Sequence, residues 1–528
     1  MTKIAIELPD DVDALRDLAL RQHARIDAQS HELLILREYI RLLKQQRYGR
    51  SSETHESAQG LLFDEAEVDA AAELPEPEPA EIEVAAHTRK RGGSRPLPEW
   101  IERVDVVHDV KEDQKQCAAD GTKLERIGEE ISEQLEFIPA QLRVLRHVRP
   151  KYGCPKCRTG VRIAEMPKLP IPKSIASPTL LAHVTVAKYA DALPLYRQEE
   201  MFRRMGIDLP RASLATWMVK CGELVAPLIH LLHEDLLESG FVQCDETLQQ
   251  VLKEPNRRAE SQSYMWVRHA PERKIVLFHY DVSRSAAVPK ELFEGYQGIL
   301  QTDGYAGYDA VGAQPGIVHV GCWVHARRRF DEALKAQRSG KKKSRSANES
   351  KARQGLAFIQ KLYQIERRIG DRPPDERRTL RQEYAKPVID ALEQWMHDAI
   401  PRVPPKSLTG KALTYLSGQW SKLIRVLDDG RVPLDTNPVE NAIRPFVVGR
   451  KNWLFSDSVR GAHASASLYS LIQTAKLHGL EPFAYLRHVY ERLPRARTLE
   501  EIDALLPAKI VPSELPDPGQ FSRADGFA

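Results

Sequence analysis

Phe241-Val242-Gln243-Cys244-Asp245-Glu246-Thr247 and, further along, Gly298-Ile299-Leu300-Gln301-Thr302-Asp303-Gly304-Tyr305 are the two stretches on which the fold turns. Each reads as a β-strand that carries an acid at or near its end. Outward from the first, residues 241–251, 264–269 and 274–281 are three β-rich runs in succession. A short helix over 287–293 leads into the second stretch, and 317–320 forms a fifth strand running into a helix over 325–335.

Three antiparallel strands, a helix, a strand, and then another strand with helices follow the order of a ribonuclease-H-like α/β domain. It is placed at 239–470, with a helical insertion at about 338–430 that opens on the basic loop 338–345. A helix from Asn437 and a strand-like 453–455 follow the insertion. The first and fourth strands are neighbours in such a sheet, so Asp245 and Asp303 are expected to meet at one edge of a site.

Hydrolysing a phosphodiester at neutral pH needs an activated water and a stabilised leaving oxygen. Two divalent ions about 3.5–4 Å apart, held by acids from different elements, serve both needs. Asp245, Asp303 and Glu440 are the candidates, the last in Asp435-Thr436-Asn437-Pro438-Val439-Glu440. Each also has a plainer reading. Asp245 has an equally eligible neighbour in Glu246, Asp303-Gly304 suits a turn, and Asn437 with Glu440 suits a helix-capping box. The three acids in fold order, with Arg444, Arg450 and Lys451 downstream, favour a metal site beside a phosphate-gripping face. Trp453 suits either base stacking or core packing. Residues 322–330 add a second basic face through Arg327 and Arg328, with His325 at the start of their helix.

The remaining chain reads as attached modules. Over 11–50, Val12, Ala19, Ile26, Leu33 and Ile40 fall seven apart, and Leu15, Gln22, Gln29, Leu36 and Leu43 form the companion row. That spacing suits either a self-associating coiled coil or a helix docked on its own domain. The linker 54–99 is acidic and proline-rich, then turns basic at Arg89-Lys90-Arg91, an arm able to follow a phosphate backbone. Residues 100–171 resemble a zinc ribbon, with Cys154-Pro155-Lys156-Cys157 as one knuckle and Cys117 with Asp120 as the other. The helical stretch 176–235 has the form of a helix-turn-helix. Gly206 closes its first helix, Pro210 opens the second, and Arg211, Ser213, Thr216 and Lys220 face outward. Residues 471–528 form a helical C-terminal domain and tail.

Composition narrows the class. Hydrophobic content of 42% and charged content of 29% suit a soluble multidomain chain. A net charge of +3 conceals the segregation of acidic linker from basic clusters. There is no apolar run long enough to cross a bilayer, and the start of the chain lacks a secretory core. Six irregularly spaced cysteines suit a reducing cytoplasm rather than a disulfide framework.

Seven segments together resemble the transposases of the insertion-sequence 66 family over nearly the whole length. They are Tyr48-Gly49-Arg50-Ser51-Ser52-Glu53, Ile127-Gly128-Glu129-Glu130, Arg146-His147-Val148-Arg149-Pro150-Lys151-Tyr152, and Lys188-Tyr189-Ala190-Asp191 with Leu193-Pro194-Leu195-Tyr196-Arg197-Gln198. Thr302-Asp303-Gly304-Tyr305, Cys322-Trp323-Val324-His325-Ala326-Arg327-Arg328 and Gly449-Arg450-Lys451-Asn452-Trp453-Leu454-Phe455 complete the set. The resemblance implies a bacterial, cytoplasmic, nucleoid-associated transposase of DDE type, with Asp245, Asp303 and Glu440 as its triad. It also implies a zipper-like helix, a zinc module, magnesium or manganese as cofactor, double-stranded DNA at element ends and target, and small accessory proteins of the same element. Asp120 stands where the family usually has cysteine. A DNA-binding regulator with a dead nuclease fold and a non-transposing nuclease are the alternative readings.

Overall fold

The computed structural model describes residues 11–48, 142–152, 162–338 and 350–515. The chain divides into two compact units, one of residues 1–74 and 168–515, the other of 75–167 and 516–528. In the second unit the described residues form a short antiparallel ribbon, β1 (Lys151–Tyr152) on β2 (Arg162–Ile163), braced by Arg149 Nη1 donating to the Ala164 carbonyl at 3.1 Å.

The first unit opens with α1 (Val12–Tyr48). Four helices follow: α2 (Pro178–Tyr189), α3 (Leu195–Arg204), α4 (Arg211–Leu224) and α5 (Ala226–Leu237). Ser177 starts α2 by accepting the Leu180 N–H at 3.2 Å. Between α3 and α4, Gly206 takes φ +85°, as the sequence anticipates. Pro210 is the N-cap residue of α4 rather than lying in its first turn.

The strands are β3 (Phe241–Lys253), β4 (Gln262–Ala270), β5 (Ile275–Asp281), β6 (Gly298–Gln301) and β7 (Ile317–Val320). Helix α6 (Ala287–Leu292) precedes β6, and α7 (Asp309–Gly312) precedes β7. The sheet runs β5-β4-β3-β6-β7, antiparallel across its first three strands and parallel across the rest. This agrees with the expected order of elements. Gln243 pairs in register with Gln301, so Asp245 and Asp303 each lie two residues beyond matched partners.

After β7 come α8 (Trp323–Arg338), α9 (Lys351–Ile369), α10 (Pro374–Leu380), α11 (Lys386–Ala399) and α12 (Leu408–Leu423). All but α10 share a separate core of Trp323, Phe330, Ile359, Leu392, Leu413 and Leu416. Tyr39 of α1 packs on that core and bonds Lys411, whereas Ile26, Leu33, Leu36 and Ile40 are each more than half exposed.

The chain then returns through α13 (Asn437–Trp453), β8 (Ser456–Ser458), α14 (Val459–Leu477), α15 (Pro482–Arg492) and α16 (Leu499–Asp503). One reading of the sequence is corrected here. Residues 453–455 are not a strand: Trp453 ends α13, and the strand starts at Ser456, pairing parallel with β3. The boundary at 470/471 falls inside α14, which covers the β5 edge. Ser470 accepts the Phe278 N–H at 2.7 Å, and Thr474 accepts the Val276 N–H and donates to its carbonyl, both at 3.1 Å. Side-chain hydroxyls thus satisfy an edge that would otherwise stay open for pairing.

Candidate active site

Period-two alternation puts Gln243, Asp245 and Thr247 on one face of β3. Helix α13 covers that face, and four hydrogen bonds along it show how. Gln243 Nε2 donates to the Asp435 carbonyl at 3.1 Å and to Gln301 Oε1 at 2.8 Å. Gln301 Nε2 in turn donates to the Pro433 carbonyl at 2.8 Å. Arg450 Nη1 donates to Thr247 Oγ1 at 3.2 Å. Two buried amides therefore tie the first and fourth strands to the segment that leads into α13. The helix carries Glu440 over Asp245. Its N-cap is Thr436, one residue earlier than a capping box at Asn437 requires. The Thr436 hydroxyl donates to Glu440 Oε1 at 3.1 Å.

The acids sense one another. Burial holds the Asp245 carboxyl well above the ordinary aspartate range, and the charges of Glu246, Asp303 and Glu440 push it the same way. Asp245 Oδ1 accepts the Glu246 N–H at 2.8 Å, which offsets only part of this. Asp303 Oδ1 accepts the Tyr305 N–H at 2.9 Å, so the turn reading of Asp303-Gly304 also holds. Glu440 is 7% exposed, and Arg328 Nη2 lies 4.0 Å from its Oε2.

Glu246 is distinguished from Asp245 by its partners. It points to the opposite face, where the Arg284 guanidinium and the Tyr308 hydroxyl both bond it. Arg284 also lies 3.9 Å from the centroid of the Tyr305 ring and within electrostatic reach of Asp303. Sequence reading missed Arg284, because a lone arginine after a strand carries no spacing signal.

Buried or half-buried, mutually repelling carboxylates are the donor chemistry that a hard divalent cation fits. Among the described residues, no three His, Cys, Asp or Glu side chains stand within shared-ion distance. The acids are coupled through their charges without forming a closed ligand cage.

The other candidates divide. Arg327 is corrected: it is 3% exposed, 5.4 Å from the Tyr363 ring centroid, and so packed inside the helical insertion. Arg328 and Lys451 are exposed, while Arg444 and Arg450 are partly buried. In α4, Arg211, Thr216 and Lys220 are exposed and Ser213 is partly so, above a buried row of Leu214, Trp217 and Met218. Trp453 packs on Tyr469 with Lys188 over its ring, which favours the packing role over base stacking. His325 Nδ1 is buried without a hydrogen-bond partner. Arg89, Lys90, Arg91, Cys117, Asp120, Cys154 and Cys157 lie outside the described residues.

Comparison with known proteins bears on the same segments. The model of the transposase IS66 family matches residues 173–464, the stretch that contains all three acids. The zinc-finger binding domain of transposase IS66 matches 114–158, the IS66 C-terminal element 470–508, and a domain described as transposase C of IS166 homeodomain 35–106. Uncharacterized protein y4jD of Sinorhizobium fredii is 32% identical over 78% of this chain and 81% of its own length. Uncharacterized protein y4qI of the same organism is 29% identical over 96% of this chain and 99% of its own. With four models in order and one relative aligned nearly end to end, the chain belongs to the transposase family of insertion sequence 66.

Proposed function

We propose that this transposase binds the terminal inverted repeats of its bacterial insertion sequence and performs metal-dependent strand cleavage and strand transfer at Asp245, Asp303 and Glu440. The observation that carries the reading is the convergence of these acids from two adjacent parallel strands and the helix laid over them. A sheet of three antiparallel and two parallel strands, with one acid on its first strand and another just past the end of its fourth, supports the ribonuclease-H-like reading. Magnesium or manganese, when bound, would lower the proton affinity of a water and stabilise the departing oxygen. The protein's own part is positional. Gln243 and Gln301 hold the two strands and the α13 lead-in together, Thr436 orients Glu440, and Arg328 offers a cation to a phosphate beside it.

DNA recognition is assigned to the outward residues of α4 and to the basic arm at Arg89, Lys90 and Arg91. Zinc is assigned to Cys117, Asp120, Cys154 and Cys157, three sulfurs and one oxygen able to complete a tetrahedron. Self-association is assigned to the exposed apolar row of α1, and accessory proteins of the same element are expected partners.

Magnesium-dependent nicking of a terminal-repeat duplex by the wild type and by Asp303→Asn tests the proposal. The wild type should nick and then join, and the variant should lose at least a hundredfold in rate, as removal of an electrostatic group in such a site does. Equal nicking by both proteins would sink the triad assignment. Binding without nicking would point to a regulator, and cleavage without joined product to a simple nuclease.

A further inference from the structure

The turn that ends α13 is strained and open to solvent. Leu454 has φ 66° and ψ −47°, and the Phe455 N–H bonds the Trp453 carbonyl at 2.8 Å. This closes a γ-turn of the hand that the β-carbon disfavours, a conformation most side chains avoid. Leu454 is 65% exposed, and Phe455 beside it is 41% exposed. Neither the strain nor the exposure serves the core.

Two cations without counter-ions stand next to this turn. Lys188 Nζ lies 4.1 Å from the Trp453 ring centroid and 5.2 Å from that of Tyr189, and burial pulls its pKa down to about 8. Arg450 is partly buried against Thr247 and Phe446, and burial lowers its pKa too. Among the described residues, no carboxylate offsets either charge. Lys451, the next residue, is exposed. Withdrawing cations from water without a counter-charge is unfavourable. Cations of this kind beside a strained apolar pair suit a ligand that is anionic at one end and flat and apolar at the other, as a nucleotide is.

We propose that the α13–β8 turn seats the nucleotide adjoining the reacting phosphodiester. Its phosphate rests on Lys188 and Arg450, and its base, drawn out of the stack, lies against Leu454 and Phe455. Thr247, which Arg450 grips, is two residues beyond Asp245 on the same strand face, about 7 Å away. Exposed apolar residues that enter a base step are an established way of opening a duplex. The inference rests on the DNA-cleavage reading above.

The test measures binding of full-length protein to a mixed-sequence DNA duplex with a single-stranded 3′ tail, in calcium and across salt concentrations. Lys188→Gln should flatten the slope of log affinity against log salt by about 0.7–0.9, the share of one phosphate contact. Lys188→Arg should restore it. Leu454→Gly should melt no lower than the wild type, because glycine relieves the positive φ, yet bind roughly tenfold more weakly. Wild-type slope and affinity in both Lys188→Gln and Leu454→Gly would overturn the seat alone. A wild type that binds no DNA would overturn the cleavage reading as well.

Discussion

At the scale of single residues, Asp245 gathers most of the electrostatic cost of the site. Its folded-state pKa is raised, so the folded protein holds a proton that the unfolded chain releases in the ordinary aspartate range. The associated stability is complete below that range and is lost as pH rises through the folded value. At neutral pH without divalent metal, Asp245→Asn should therefore melt above the wild type, each kcal/mol of relief appearing as about 2–4 °C. Magnesium should raise the wild-type midpoint and leave the variant's nearly unchanged. A variant that melts lower in chelator, compared by calorimetry, would contradict the repulsion. That Asp245, Asp303 and Glu440 come within reach of one another's charge was legible because acids placed on successive elements form a pattern. Arg284 and Lys188 were not, since each acts through an aromatic face or a distant carboxylate that only the folded chain brings near.

At the scale of elements, close approach decides more than propensity. A β-carbon on Gly222 of α4 would lie 2.6 Å from both Cα and Cβ of Ala464 in α14. Helix propensity alone would make Gly222→Ala stabilising by about 0.5–1 kcal/mol. Overpacking against a backbone atom costs about 1–3 kcal/mol, so net destabilisation of roughly 1 kcal/mol is expected in urea titration. A gain in midpoint would show that the two helices slide apart freely. The strand order was readable because β-branched runs are short and separated by turn residues. Trp453-Leu454-Phe455 misled, because an apolar triplet has the composition of a strand whether or not it pairs. Here the helix continues to Trp453, and the unusual dihedral at Leu454 is what stops it.

At the scale of the whole molecule, His233, His269, His279 and His319 are held neutral by burial, with pKa values pulled from 6.5 to about 4. The unfolded chain takes up these protons first. Stability contributed by the four rings is therefore present above about pH 6.5 and is lost as pH falls towards 4. Denaturation midpoints measured between neutral and mildly acidic pH should fall with acid. The fall should be steeper in Asp245→Asn, which lacks the opposing carboxyl, and shallower in His269→Gln. A flat profile in both variants would mean that the imidazoles reach water.

Arg381 carries a different consequence. Fully buried, it pairs with Glu366 and donates to the carbonyls of Val426, Asp429 and Val432, fixing the path by which the chain leaves the helical insertion. Glu440 lies only a few residues past that clamp, so the last acid cannot be put in place until the insertion has folded. A polypeptide ending just before Glu440 would lack most of α13 and all of α14 to α16 and, with them, the share of the main core held by Phe446, Tyr469 and Leu486. Such a fragment could not cover the β5 edge or close the core around the sheet, so truncation there forfeits the fold together with the third acid.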